Sequence, residues 1–300
     1  MKIIYLNDEK WNYYENLAIA IGNFDGLHKG HCRLIDETLK DKRYKSGLIT
    51  FNPHPQVFFK KDNFNTLLSN AENIKLIEEK KLDFLFIVKF DEKFANLAPI
   101  EFIKKLINLG VKKVILGEDA RFGKNATGNL NDLKMHFEVT QVKSLYHENL
   151  KISTSTIKMM LENGNLKDAN TLLGYNYFIN GYIEHGNKVG RTLGFPTANI
   201  NYGNHTFLNN GVYFVKIKIK EKFHFGICNV GNNPTINYSK IKKMEVFILN
   251  YDEIIYNENV KVVFIERLRD EIKFDSKEKL IEKMNEDIKI TKKMIEKLKI

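Results

Sequence analysis

Cysteine, proline and tryptophan are scarce in this chain of 300 residues, at two, five and one. The two cysteines, Cys32 and Cys228, lie far apart and no CxxC pair occurs, which excludes a disulfide framework. Free thiols point to a reducing compartment, so the expected location is cytoplasmic. With only 5 Pro and 18 Gly the chain is neither collagen-like nor a linker. No apolar run reaches the roughly 18 residues of a membrane span. The N-terminus, Met-Lys-Ile-Ile-Tyr-Leu-Asn-Asp, has no long apolar core and no small-residue cleavage site. Neither a transmembrane helix nor a signal peptide is expected.

What is present is globular: 43% hydrophobic and 28% charged residues. At about 150 residues per domain, the length suggests two domains. The formal net charge of +10 is spread along the chain and not clustered. It reads as a solvated basic surface that also attracts anionic substrates, and no nucleic-acid partner is expected.

The first half alternates strand-like runs (Leu17–Ile21, Gly47–Phe51, Asp83–Val88, Val111–Leu116) with amphipathic stretches (His31–Lys40, Asn70–Lys81, Pro99–Leu109). That alternation predicts an α/β domain with a parallel sheet. A helical segment from Ser153 to Leu173, broken near Gly164, leads into a different style. Nine of the 18 glycines lie between Gly174 and Gly231. Short β-rich runs follow at Tyr177–Ile183, Gly211–Ile219, His224–Val230, Met244–Asn250 and Val260–Phe264. They predict a mainly antiparallel sheet or barrel, closed by a helix from Ser276 to the end. The expected domains are residues 1–174 and 175–300.

Two constellations carry chemistry. The first is Gly22-Asn23-Phe24-Asp25-Gly26-Leu27-His28-Lys29-Gly30-His31, between the first strand and the first helix. In an open α/β sheet ligands bind at such strand ends. Glycines admit close backbone approach, and a helix N-terminus offers free N–H groups to phosphate. A phosphate-reading site is the favoured reading; a zinc pair, or two structural histidines in a turn, are the alternatives.

His28-Lys-Gly-His31 resembles the HxGH motif of nucleotidyltransferases. The longer string resembles the GxFDGxHxGH of the bacterial bifunctional riboflavin kinase/FAD synthetase family. Further segments match in order: Thr50-Phe-Asn52-Pro-His-Pro55, Gly117-Glu-Asp119-Ala-Arg121-Phe122-Gly-Lys124 and Ile152-Ser153-Thr154-Ser-Thr156-Ile-Lys158. The resemblance implies a Rossmann-like nucleotidyltransferase domain in which His28 and His31 contact ATP phosphates. Gly22, Phe24, Asp25, Gly30, Asn52, Asp119, Arg121, Phe122, Ser153 and Thr154 are then candidate ligand-binding residues. The chain departs from the family pattern at Thr156 and Lys158, where arginines are usual, and at Ala120, where Phe is usual. The bland reading of Ser153 to Thr156 is a helix N-cap. Cys32 is expected to be buried and inert.

The second constellation is Gly181-Tyr-Ile-Glu-His-Gly186-Asn-Lys-Val-Gly190-Arg191-Thr-Leu-Gly194-Phe-Pro-Thr197-Ala-Asn199. Its polar intervening residues exclude a membrane GxxxG face. It resembles the flavokinase motif GRxxGFPTAN. The resemblance implies that Thr197 and Asn199 hold Mg2+ and ATP phosphate oxygens, and that Gly186, Gly190, Arg191 and Gly194 wrap the nucleotide. It further implies that Glu245 is the general base, with Asn229 and Arg269 also lining the site. The implied function is phosphorylation of riboflavin to FMN by ATP, then adenylylation of FMN to FAD with release of pyrophosphate. Both steps would use Mg2+. Three alternatives stay open: a riboflavin kinase with a weak or inactive adenylyltransferase module, a different HxGH transferase acting on pantetheine phosphate or nicotinate mononucleotide, and a basic nucleic-acid-binding protein.

Overall fold

The computed structural model describes residues 1–7, 11–60, 64–185, 194–203, 206–232 and 242–298. By its contacts the chain divides into two compact units, Met1–Thr156 and Ile157–Ile300.

The first unit runs β1 (Lys2–Leu6), β2 (Leu17–Ile21), α1 (Lys29–Lys40), β3 (Lys45–Asn52), α2 (Pro55–Lys60), α3 (Asn70–Glu78), β4 (Phe84–Lys89), α4 (Glu92–Ala95), α5 (Pro99–Leu109), β5 (Val111–Gly117), α6 (Leu130–Lys134) and β6 (Glu138–Val142). A small hairpin follows, β7 (Tyr146–His147) with β8 (Leu150–Lys151), and then the start of α7 (Thr154–Glu162). The six long strands form one parallel sheet in the order β1-β4-β3-β2-β5-β6. Their apolar residues alternate between two cores. Ile19, Phe86, Val114 and Leu116 face one core, and Ala18, Ala20, Leu85, Ile87 and Ile115 the other. A sheet buried on both faces is why the strands read as unbroken hydrophobic runs. From β2 the chain steps to β3 on one side and later returns to β5 on the other. The crevice beyond the carboxyl ends of β2 and β5 is therefore the topological switch point.

Helix α5 begins with Pro99 and ends at Gly110, whose φ of 92° closes the helix by donating its N–H to the Ile107 carbonyl at 3.0 Å. A Cβ there would stand 1.8 Å from the Tyr14 carbonyl oxygen, so only glycine fits this crossing.

The second unit takes up the rest of α7, then α8 (Leu166–Leu173), β9 (Phe178–Glu184), β10 (Thr197–Asn201), β11 (Gly211–Ile219), β12 (Lys222–Asn232), β13 (Lys242–Ile248), β14 (Asn259–Arg269) and α9 (Lys277–Leu298). The strands close into an antiparallel barrel in the order β10-β13-β12-β11-β14-β9. Closure leaves no unpaired edge. Helix α8 is tied to the barrel by Asn170, whose Nδ2 donates to the Phe264 carbonyl at 3.1 Å while its Oδ1 accepts from Tyr177 N–H at 2.7 Å. Along β13, Met244, Val246 and Ile248 are buried, whereas Lys243, Glu245 and Phe247 project outward.

The break expected near Gly164 falls at that residue, with φ 80°. Other elements differ from the sequence expectation. The helix expected over Asn70–Lys81 stops at Glu78, before Lys81 turns to φ 58°. Strands β1, β6 and β10 were not anticipated. β14 runs past Phe264 to Arg269, which puts that arginine on a strand.

Candidate active sites

The loop after β2 is held in an unusual shape: Phe24, Gly26 and Leu27 have φ of 49°, 75° and 34°. Three positive values within four residues persist only where the surroundings over-determine them. The Phe24 ring is fully buried in the core. The Asp25 carboxylate, 1% exposed, accepts from the N–H groups of Leu67 at 2.9 Å and Leu68 at 3.2 Å. Gly26 N–H donates to Asn73 Oδ1 on α3 at 2.9 Å, and Thr154 Oγ1 donates to the Asp25 carbonyl at 3.2 Å. Phe24 and Asp25 thus act as braces of the loop.

This brace fixes His28 as N-cap of α1, where its Nδ1 accepts from His31 N–H at 3.3 Å. The accepting Nδ1 assigns the proton of neutral His28 to Nε2. The two imidazoles do not converge as a metal pair would. They stack, with centroids 3.7 Å apart and planes at 17°. His31 Nδ1 is buried without a hydrogen-bond partner among the described residues. Burial pulls the pKa of His28 down to about 4. His31 is held well below the usual imidazole range, first by burial and then by the charges of His28 and His54. Both rings are neutral at pH 7. They form an N–H-bearing wall at a helix N-terminus, a setting that receives phosphate oxygens. Gly30 lies beside them: a Cβ there would meet His28 Nδ1 at 3.1 Å and the Ile152 carbonyl at 3.4 Å.

Next to Gly22 and Asn23 opens a cleft of about 810 Å³. Seven phenylalanines wall it: Phe51, Phe58, Phe59, Phe90, Phe94, Phe102 and Phe122. Asp119 and Arg121 stand at its polar end, with Asp119 ion-paired to Lys151 and Arg121 Nη1 donating to the Ala120 carbonyl at 3.0 Å. Phe122 packs on Phe102 at 5.6 Å. Of the sequence candidates, Gly22, Asp119, Arg121 and Phe122 meet in this cleft. Asn52 does not line it; its side-chain oxygen accepts from Asn70 Nδ2. Sequence reasoning singled out one of the seven rings. The others come from five separate elements, and only the unusual count of 21 phenylalanines hints at them.

Ser153 caps α7: its Oγ accepts from Thr156 N–H at 3.2 Å. Thr156 Oγ1 lies 2.8 Å from Ser153 Oγ and donates to the Lys151 carbonyl at 2.8 Å. The Lys158 ammonium lies 4.9 Å above the Phe207 ring. Cys32 is only half-buried, unlike the expectation, and its thiol donates to the Leu27 carbonyl at 3.5 Å.

In the second unit, strand register does the assembling. Asn199 on β10 and Asn229 on β12 both stand opposite Glu245 on β13. Period-2 alternation adds Thr197 and Phe247 to the same outer face. These residues line a cavity of about 430 Å³ between the barrel wall and α9, together with Arg269. The opposite wall is apolar: Ile272, Phe274, Leu280, Met284 and Ile288. Glu245 Oε1 accepts from Lys243 Nζ at 2.5 Å. Across the strand, burial and then the Glu245 charge push the Cys228 thiol pKa up, so that thiol is inert. A smaller cavity of about 200 Å³ shares Thr197 and is lined by Pro196, Ala198, Tyr251 and Tyr256. Gly194 has φ 84° and open space around it. Gly186, Gly190 and Arg191 lie outside the described residues.

Among the described residues no group of three or more His, Cys, Asp and Glu could hold a metal. Thr197 and Asn199 offer instead two hard oxygen donors, with the Glu245 carboxylate beside them. Such donors suit Mg2+, which keeps several waters and takes substrate phosphate oxygens to complete its shell.

The FAD synthetase family model matches residues 11–156, and the riboflavin kinase model residues 173–295. The bifunctional riboflavin kinase/FMN adenylyltransferase of Buchnera aphidicola subsp. Schizaphis graminum (strain Sg) is 39% identical over 293 residues, covering 93% of this chain and 94% of its own. That of Bacillus subtilis (strain 168) is 35% identical, with 90% of each chain covered. The chain belongs to this bifunctional family. A solved structure described as a macrolide-efflux protein from Streptococcus pneumoniae superposes with a TM-score of 0.86 at 29% identity, covering 97% of this chain and 99% of that one. Among the described residues no helix is long and apolar enough to cross a membrane. In the family's terms, the histidine loop and phenylalanine cleft fall in the FAD synthetase part, and the Glu245 cavity in the riboflavin kinase part. Because both parts match, a riboflavin kinase with an inactive first module is not favoured.

Proposed function

We propose that the protein phosphorylates riboflavin with ATP to give FMN and ADP, then joins FMN to AMP from a second ATP to give FAD and pyrophosphate. The kinase step is assigned to residues 175–300 and the adenylyl transfer to residues 1–174. The carrying observation is the register that sets Asn199, Glu245 and Asn229 side by side in a cavity with an apolar far wall. That wall suits a flat flavin ring, and the polar wall suits an alcohol and a phosphate.

In the kinase step the riboflavin 5′-hydroxyl attacks the γ-phosphorus of ATP. The new O–P bond forms as the bond to the ADP oxygen breaks. Glu245 accepts the hydroxyl proton, because an alcohol is a poor nucleophile while protonated. Thr197 and Asn199 would hold Mg2+, which supplies charge neutralisation at the phosphates when bound. Asn229 lies within the same wall to orient the hydroxyl. In the adenylyl step an FMN phosphate oxygen attacks the α-phosphorus of ATP, and pyrophosphate leaves. A phosphomonoester has a second pKa of about 6, so the nucleophile is already ionised. His28 and His31 donate N–H groups to the phosphates, with the α1 N-terminus and Gly30 beside them. The phenylalanine cleft takes the flavin ring, and Asp119 and Arg121 stand at its polar rim. A cytoplasmic location fits the free thiols.

The test is product analysis of riboflavin with ATP and Mg2+. FMN followed by FAD is expected; unmodified riboflavin would remove the reading. Glu245→Gln should lower the kinase kcat by about 10²–10⁴-fold and leave adenylylation of supplied FMN intact.

A further inference from the structure

We infer that Asp287 on α9 is a positioning residue for the kinase site: it fixes the guanidinium of Arg269 at the flavin-facing wall of the Glu245 cavity. This rests on the reading of that cavity as the riboflavin phosphorylation site. Nothing in the sequence singles out Asp287, one acid in a helix crowded with Lys and Glu.

The geometry is specific. Arg269 Nε donates to Asp287 Oδ1 at 3.1 Å and Oδ2 at 3.0 Å, and Nη2 donates to Oδ2 at 2.8 Å. Nη1 donates to the Asp270 carbonyl at 2.9 Å. The plane is therefore held along one edge and at one corner. A guanidinium carries five N–H groups. One on Nη1 and one on Nη2 have no partner among the described residues. Asp287 is 3% exposed, so its charge is stabilised by Arg269 and not by water.

The surroundings say what the free edge meets. Arg269 and Asp287 both line the cavity, on the side formed by Ile272, Phe274, Leu280 and Met284. That side is apolar and flat-ring compatible, whereas the alcohol-activating and phosphate-binding groups stand on the barrel wall. A flavin ring placed against it presents carbonyl oxygens, for which two fixed N–H donors are the natural partners. Glu271, two residues on from Arg269, is the other carboxylate in the wall and can capture a guanidinium released from Asp287. Asp287 has a second consequence. Because α9 supplies one wall of the cavity, the same ion pair that aims the guanidinium also seats the helix.

Steady-state kinetics of the full chain test this. Asp287→Asn keeps the side-chain shape and removes the charge. Riboflavin KM is expected to rise at least tenfold, with ATP KM and kcat changed less than threefold. Asp287→Glu, which can re-form a two-point pair, should recover most of the loss. The swap Arg269→Asp/Asp287→Arg separates aiming from seating. It restores a helix–barrel ion pair but moves the guanidinium to α9. If Asp287 aims Arg269, the swap regains thermal stability without regaining riboflavin affinity. Recovery of riboflavin KM to the wild-type value by the swap, or an unchanged KM in Asp287→Asn, would overturn the inference. Absence of FMN formation by the wild-type enzyme would instead remove the functional reading beneath it.

Discussion

The stacked histidines make stability of the first unit depend on pH, and His28→Asn tests the cause. Asparagine is a good N-cap, and its Oδ1 can accept from His31 N–H as Nδ1 of His28 does. The variant therefore keeps the cap and removes one titrating ring. Folded His28 has a pKa of about 4 against an ordinary value of 6.5, because burial disfavours the imidazolium. Between those values the unfolded chain binds a proton that the folded chain refuses. The contribution is complete above pH 6.5 and is lost as pH falls toward 4. Linkage gives a loss of about 2 kcal/mol between pH 7 and pH 5 from this ring alone. Trp11, the sole tryptophan, packs edge-on against Phe102 at 6.4 Å and reports on the first unit. Followed by its fluorescence in urea, with a slope of about 1–3 kcal/mol per molar, the wild-type midpoint should fall about 1 M further than that of His28→Asn over the same interval. His31 titrates in both proteins and largely cancels. Parallel midpoint shifts in the two proteins would show that His28 is not held neutral by burial, and the reasoning from the stack would fail.

Asp25→Ala strands the amides of Leu67 and Leu68; at about 1–3 kcal/mol for each buried donor, the first unit should lose about 2–6 kcal/mol by the same fluorescence assay, with riboflavin phosphorylation spared. Phe58→Ala removes one ring from the cleft and should raise the FMN KM for adenylylation about five- to tenfold without changing the riboflavin KM of the kinase step. Gly110→Ala forces a Cβ to 1.8 Å from the Tyr14 carbonyl at φ 92°, so soluble expression at 37 °C should collapse while an Ala substitution at exposed Lys112 has no such effect.

The parts of the fold that were legible are those whose burial is two-sided. Leu17–Ile21 and Val111–Leu116 read as strands because both faces meet a core. β10 was not legible, although its residues were. Thr-Ala-Asn-Ile-Asn has no apolar run, since Thr197 and Asn199 point outward to the cavity beneath α9. Strands that carry chemistry on one face lose the alternation by which strands are recognised. The histidine loop was legible as a motif, but its stacking was not, because spacing gives proximity and not ring orientation. Asp25 belonged to the recognised string, yet only the contacts to Leu67 and Leu68 show that its carboxylate is turned toward the protein. The phenylalanine cleft was hidden for another reason. Its walls arrive from β3, α2, α4, α5 and the segments after β4 and β5, and no local window contains them.

The two sites, as we propose to assign them, answer opposite demands on a phosphate-transfer centre. Where an alcohol attacks, the enzyme must remove a proton, and Glu245, half-exposed and ion-paired to Lys243, is the carboxylate we propose to receive it. Where a phosphate attacks, no proton has to be removed, and a basic group would only compete for one. There the chain buries two imidazoles against each other, so that neither charges at pH 7 and each offers an N–H donor. Neutral donors do not balance a triphosphate, so positive potential from the α1 N-terminus and from nearby side chains adds to whatever a bound cation supplies. Arg121 lines the cleft, and Lys151 holds the Asp119 carboxylate that lines it too. The spread of positive charge over the whole chain, +10 in total, supplies the long-range part of the same attraction.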